Sequence, residues 1–397
     1  MHLDISTQNS AVAVRKVENP AVVTSTRLLS LDLLRGLTIG AMILVNDPGD
    51  GPASYWPLRH ANWNGWTPTD LIFPFFVFMV GVAMAFSFAS RLERGQTRAQ
   101  LLMHVFIRGL VLFAMGMFLN GSPHHFQLAD WRVYGVLQRI AICYVVTSVV
   151  ELWAGWRTQL ALALGCLAAY WVLMRYLPVP GFGIPTHQIP LLDPDRNLVA
   201  WLDRKLLAGH LYEGTRDPEG LLSTIPAVAT CLAGLLTGKW LRTENSAEKK
   251  ALGLALAGII TAALGRTFDL WLPINKKLWT SSYVLFTAGL ALLLLAACSW
   301  AVDVKRHRGR WTKPLLVLGK NAIAAYFFSE LLAIFLYAVR MPRAHEGRIS
   351  LHEYVFSRWF LPFSSPANAS LAYALVYVAL CWAVMALLYR RRIFLKI

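Results

Sequence analysis

Three polar side chains crowd the connection between two apolar runs: Asn46 at the end of the first, His60 inside the loop, and Asp70 at the start of the second. A histidine suits proton abstraction from an amine nucleophile, because its ring titrates near neutral pH. A carboxylate beside it would hold the imidazole in one tautomer and stabilise the imidazolium. A carboxamide would donate to the oxyanion that forms when a carbonyl is attacked. Each residue also has a purely local explanation. Asn46-Asp47-Pro48-Gly49 is turn chemistry at a helix end. His60 lies among Trp56, Trp63 and Trp66, as an interfacial aromatic belt would place it. Asp70 follows Thr67 and Pro68 as the acid of an N-terminal capping box, and for this residue the two roles are compatible.

The elements that must position these groups follow from composition. Hydrophobic residues make up 56% and charged residues 15% of 397 positions, and mean hydropathy is +0.47. Such a chain is a polytopic membrane protein, not a water-soluble enzyme. A bilayer core of about 30 Å takes about 20 apolar residues in a helix. Ten stretches qualify, at roughly 29–45, 69–90, 101–119, 134–153, 158–176, 223–241, 251–271, 280–302, 315–339 and 370–389. Lipid offers no hydrogen-bond partners to the backbone, and these runs are too long for barrel strands, so an all-α bundle of about ten transmembrane helices is expected.

Basic residues set its orientation. Arg91, Arg94 and Arg98 follow the second stretch, Lys239, Arg242, Lys249 and Lys250 the sixth, Lys305, Arg306, Arg308, Arg310 and Lys313 the eighth, and Arg390, Arg391, Arg392 and Lys396 the last. All fall on one side if both termini are cytoplasmic, which turns the His60 loop outward. Arg340, Arg343, Arg348 and Arg358, after the ninth stretch, run mildly against this arrangement. The net charge of +16 is therefore read as marking cytoplasmic ends of spans, with no nucleic-acid partner. Residues 1–26 are polar, lack the apolar core of a secretory signal, and read as a disordered cytoplasmic tail. Residues 27–397 read as a single transmembrane domain, with an outward segment at 177–222 too proline-laden for a helix and long enough to fold over the outer mouth. The five cysteines have no metal or disulfide spacing and read as packing residues, and no metal is expected.

Ionisable groups at membrane depth are expensive and usually functional. Asp32 and Arg35 lie in the first stretch, Gln138 and Arg139 in the fourth, and Glu330 in the ninth. Between the seventh and eighth, Pro273-Ile274-Asn275-Lys276-Lys277-Leu278-Trp279 precedes three hydroxyl residues. Its lysines suit either interface anchoring or the grip of a polar substrate beside the His60 loop.

Together these segments resemble the heparan-alpha-glucosaminide N-acetyltransferase family of transmembrane acetyltransferases, including its short bacterial members. The blocks are Ser30-Leu31-Asp32-Leu33-Leu34-Arg35-Gly36, Val45-Asn46, His60-Ala61-Asn62-Trp63-Asn64-Gly65 with Asp70 ten positions on, and Phe73-Pro74-Phe75-Phe76. Further blocks are Gly135-Val136-Leu137-Gln138-Arg139, Asp217-Pro218-Glu219-Gly220-Leu221-Leu222, the Pro273–Trp279 segment and Gly319-Lys320-Asn321-Ala322. The resemblance implies His60 as the catalytic residue, with Asn46 and Asp70 beside it. It implies acetyl transfer from acetyl-CoA to an amino sugar; the donor's polyanionic nucleotide end is expected among basic groups, at Arg35 and Arg139, and the acceptor near Asn64, Glu219, Asn275 and Lys277. Lysosomal members carry a luminal region and one further span ahead of this core, where this chain has only its tail. The expectation is thus a bacterial inner (cytoplasmic) membrane protein with the His60 loop in the periplasm, and a homodimer is compatible with it. Some bacterial relatives are instead labelled N-acetylglucosamine-related transporters, so a carrier for N-acetylglucosamine or a related amino sugar stands as the alternative.

Overall fold

A computed structural model describes residues 28–124, 126–342 and 347–395. The 1–26 tail, Arg343 and Lys396 lie outside the described residues. The protein is an all-α bundle whose helices are α1 (Leu29–Asn46), α2 (Ile72–Glu93), α3 (Arg98–Gly121), α4 (Val136–Trp153), α5 (Trp156–Tyr176), α6 (Leu198–Leu207), α7 (Thr224–Leu241), α8 (Ala247–Phe268), α9 (Ser281–Ser299), α10 (Thr312–Lys320), α11 (Ala322–Ala338), α12 (Leu351–Trp359) and α13 (Pro366–Arg390). The only strands among the described residues, β1 (Arg340–Pro342) and β2 (Arg348–Ser350), form a short antiparallel hairpin. Nine of the described helical segments are long and apolar enough to cross a membrane, and α10 with α11 forms a tenth, broken one.

Lipid gives helices no hydrophobic reason to associate, so close backbone approach at small residues must hold them together. Gly81 of α2 lies against the backbone of Cys231 and Leu235, and Gly234 of α7 against that of Phe78. The same device joins α8 to α9, where Gly265 meets Phe286 and Gly289 meets Ala262. The α2–α7 seam is the spine of the largest apolar cluster, which extends through Tyr144, Trp279 and Tyr283.

Two segments depart from the expectations. The 177–222 segment does contain a helix, because its prolines before α6 end at Pro194 and leave 198–207 free to wind. Asn197 caps α6, its side chain accepting from Ala200 N–H at 2.9 Å. The ninth stretch is not one helix but two, bent by 80° at Asn321. The carboxamide there donates to Ile393 C=O at 3.2 Å and accepts from Leu395 N–H at 3.2 Å, so the joint is tied to the chain beyond α13. The break, though not the whole span, therefore lies at the end of the bundle remote from His60.

Polar ties fasten both ends. Lys239 pairs with Glu151 (2.6 Å) and Arg242 with Glu93 (3.6 Å) where α2, α4 and α7 finish. At the opposite end Gly49 N–H bonds to Ser370 C=O (3.5 Å) and Asp50 N–H to Ser370 Oγ (3.0 Å), which fastens the end of α1 to the start of α13.

Candidate active site

His60 and Asp70 are brought together by the turn that opens α2. Thr67 and Pro68 start a single 3-10 turn, Pro68–Leu71, and Asp70 reaches back so that its Oδ2 accepts from Thr67 N–H (2.9 Å), Thr67 Oγ1 (3.1 Å) and Ala61 N–H (3.0 Å). Its other oxygen, Oδ1, lies 2.7 Å from His60 Nδ1. One carboxylate thus fills both roles read from the sequence: Oδ2 caps the turn and Oδ1 holds the imidazole. The Asp70 side chain is 1% exposed and that of His60 48% exposed, so a buried acid orients an accessible base. Tyr283 of α9 donates its hydroxyl to the Asp70 carbonyl and anchors the turn from below.

A second loop completes the cluster. Gly65 N–H donates to Ile274 C=O (2.8 Å), and Asn275 Nδ2 donates to Asn64 Oδ1 (3.1 Å). Asn275 Oδ1 accepts from Leu278 N–H (3.0 Å), so this fully buried amide holds its own turn with one end and the His60 loop with the other. Trp279 occupies the left-handed region at φ 52, which bulky residues avoid, and is held there by burial and a bond from its ring nitrogen to Thr230 Oγ1 (3.1 Å). The turn delivers Lys276 to the histidine: its Nζ lies 2.9 Å from Nδ1, 3.3 Å from Nε2 and 3.7 Å from Asp70 Oδ1. Burial lowers the Lys276 pKa against the opposing pull of Asp70 and Glu219. The sequence marks a lysine pair here, and the structure separates them. Lys277 turns instead to Glu213 Oε1 (2.8 Å) and lies 6.0 Å over the Trp63 ring.

The 177–222 segment closes over this end. Trp63 Nε1 donates to Leu192 C=O (2.8 Å), and the Arg216 guanidinium stacks 4.9 Å over the same indole. Glu219 is paired with Arg132 (2.5 Å), which also takes Asp217 in a two-pronged bond (2.8 and 2.7 Å). Asp203 in α6 accepts from Leu221 N–H (3.2 Å), and burial raises its pKa to about 6.

The remaining expected residues fall elsewhere. Asn46 is exposed and donates to Glu330 Oε1 of α11 at 3.4 Å, while His60 is engaged with Asp70 and Lys276. Arg139 does not share a site with Arg35. It is fully buried, bonds to Gly220 C=O (3.1 Å) and to Ser223 Oγ, and stacks 5.0 Å from the Trp279 ring. Arg35 instead lines a cavity of about 290 Å³ between α1 and α2, with Arg91, Arg94, Ser87 and Ser90. There it lies 3.3 Å from Asp32.

Fold and site define a polytopic helical membrane protein that presents a carboxylate-held histidine at one rim of its bundle. Residues 27–272 match the family described as "Heparan-alpha-glucosaminide N-acetyltransferase, catalytic", and the chain belongs to that family of N-acetyltransferases. Among its relatives is the heparan-alpha-glucosaminide N-acetyltransferase of Homo sapiens, 28% identical over 429 residues, covering 94% of this chain and 60% of the relative. The Mus musculus protein of the same name is 28% identical over 432 residues, covering 94% of this chain and 61% of the relative. The chain thus spans about three-fifths of the length of the curated relatives it matches.

Proposed function

We propose that this protein moves the acetyl group of acetyl-CoA to the amine of an amino sugar, a terminal glucosamine unit, across a membrane, with His60 as general base. The observation that carries the reading is His60 Nδ1 at 2.7 Å from Asp70 Oδ1 with the imidazole half exposed. In this reading Asp70 holds the proton on Nδ1, and the Nε2 lone pair takes the proton of the attacking amine. Acetyl-CoA supplies the activated acyl group as a thioester. The residues lining the α1–α2 cavity suit its phosphates, since Arg35, Arg91 and Arg94 offer guanidinium donors and Ser87 and Ser90 hydroxyls. The cavity lies at the basic end, which this reading assigns to the cytoplasm of a bacterial inner membrane, with the His60 end in the periplasm. The oxyanion role rests on the chemistry of the Asn46 carboxamide, and taking it up means exchanging its long bond to Glu330. Removing such a donor slows turnover by about two decades.

Kinetics on purified variants test the base. His60→Ala should lose about 10²- to 10⁴-fold in kcat, and Asp70→Asn a comparable factor through the wrong tautomer. Full activity in His60→Ala would sink the proposal. The broken α10–α11 span favours the carrier reading, because secondary transporters interrupt helices around their substrate. Those interruptions lie at the bilayer midplane, whereas this joint is bound to the chain beyond α13 at one end. Uptake of labelled N-acetylglucosamine into vesicles without acetyl-CoA would restore the carrier.

A further inference from the structure

With the proton of the His60–Asp70 pair on Nδ1, the nitrogen left to accept a proton is Nε2, and the amine of Lys276 lies against the ring, 2.9 Å from Nδ1 and 3.3 Å from Nε2. A general base works on an amine within hydrogen-bond reach, and the Lys276 amine is within that reach of Nε2. The charged groups around it come from every neighbouring segment: Asp70 from the turn before α2, His60 from its loop, Lys277 from the same turn, and Glu219 from the segment before α7. The side chain is 19% exposed, and its histidine neighbour is more open still. We propose that Lys276 is an internal acetyl acceptor, so that the protein acetylates itself there when no external amine competes.

The chemistry is that of the proposed acetyl transfer, on which this inference rests. The neutral Nζ attacks the thioester carbonyl, and the N–C bond forms as the C–S bond breaks. One Nζ proton passes to His60 Nε2 and leaves on the departing sulfur, giving N-acetyl-lysine and a thiol with no other reactant. The neutral, nucleophilic fraction grows with pH, so the rate rises with pH, and burial, by lowering the lysine pKa, moves that rise to lower pH. The amide is stable, removes the cation beside Asp70, and fills the acceptor's position, so self-acetylation ends turnover.

The test incubates the full chain in detergent with isotopically labelled acetyl-CoA, with and without glucosamine, and maps label by peptide mass spectrometry. Without glucosamine, label should approach one acetyl per chain at Lys276, faster at higher pH, with transfer activity falling in step. Excess glucosamine should protect. His60→Ala should slow Lys276 labelling at least about 100-fold while background labelling of exposed Lys205 and Lys249 stays unchanged. Lys276→Arg keeps a cation but no nucleophile, and should escape inactivation during preincubation with donor. Acetylated glucosamine with Lys276 labelled no faster than Lys205 overturns this inference and leaves the transferase reading standing. Equal Lys276 labelling in His60→Ala overturns it as adventitious. Label on neither glucosamine nor Lys276 overturns both.

Discussion

Asp47, one position beyond α1, carries a carboxyl whose Oδ2 is buried without a hydrogen-bond partner. Burial, reinforced by the Glu330 carboxylate, raises its pKa from 3.8 to about 8. The folded state then holds a proton that the unfolded chain releases at 3.8, so this group's contribution to stability falls as pH rises between those values. Asp47→Asn, uncharged and nearly isosteric, should flatten the decline in thermal midpoint between about pH 5 and pH 8. Identical slopes in both proteins would remove the assignment. At this scale the sequence is legible where chemistry is local. The ten-residue spacing of His60 and Asp70 points to a pair because Thr67 and Pro68 also dictate the turn that joins them. Which of Lys276 and Lys277 faces the histidine is not legible. That choice depends on a turn built around Asn275 and the left-handed Trp279, and neither has a periodic signature.

Among the elements, the segment 177–222 depends on ties to the rest of the chain that no local pattern announces. Arg132, just before α4, grips Asp217 and Glu219 more than eighty positions away and stacks 4.5 Å over Tyr212. Removing one member of a buried ion cluster leaves its partners charged, desolvated and unmatched, which costs about 3–5 kcal/mol. Arg132→Ala should therefore lower the thermal midpoint and open residues 203–222 to protease. Arg132→Lys should restore only part of the loss, since an ammonium cannot make the forked bond to Asp217. An unchanged proteolytic pattern would show that the apolar contacts of Val179, Ile189 and Leu192 suffice to hold the segment. The spans themselves are readable because each is a predominantly apolar run of bilayer length. The break at Asn321 is not, because one lysine and one asparagine between apolar runs resemble the other isolated polar residues of the spans, and the bend is tied by bonds to Ile393 and Leu395.

Across the whole molecule, a cation-lined cavity lies at one end and a carboxylate-held histidine at the other. If donor phosphates dock at the first and proton transfer occurs at the second, the sites must fail in different kinetic constants. A guanidinium bond to a phosphate contributes about 1.5–3 kcal/mol, so losing one weakens binding about 10- to 100-fold without touching the reacting atoms. Arg94→Ala removes a side chain whose bond to Ser90 Oγ (2.9 Å) lies within its own helix turn and is dispensable to the fold. It should raise KM for acetyl-CoA by about that factor at nearly constant kcat. His60→Ala should lower kcat at nearly constant KM for the donor. Steady-state kinetics with acetyl-CoA as the varied substrate separates the two. A fall in kcat for Arg94→Ala, with KM unmoved, would place the donor's phosphates elsewhere and break the link between the basic end and the histidine.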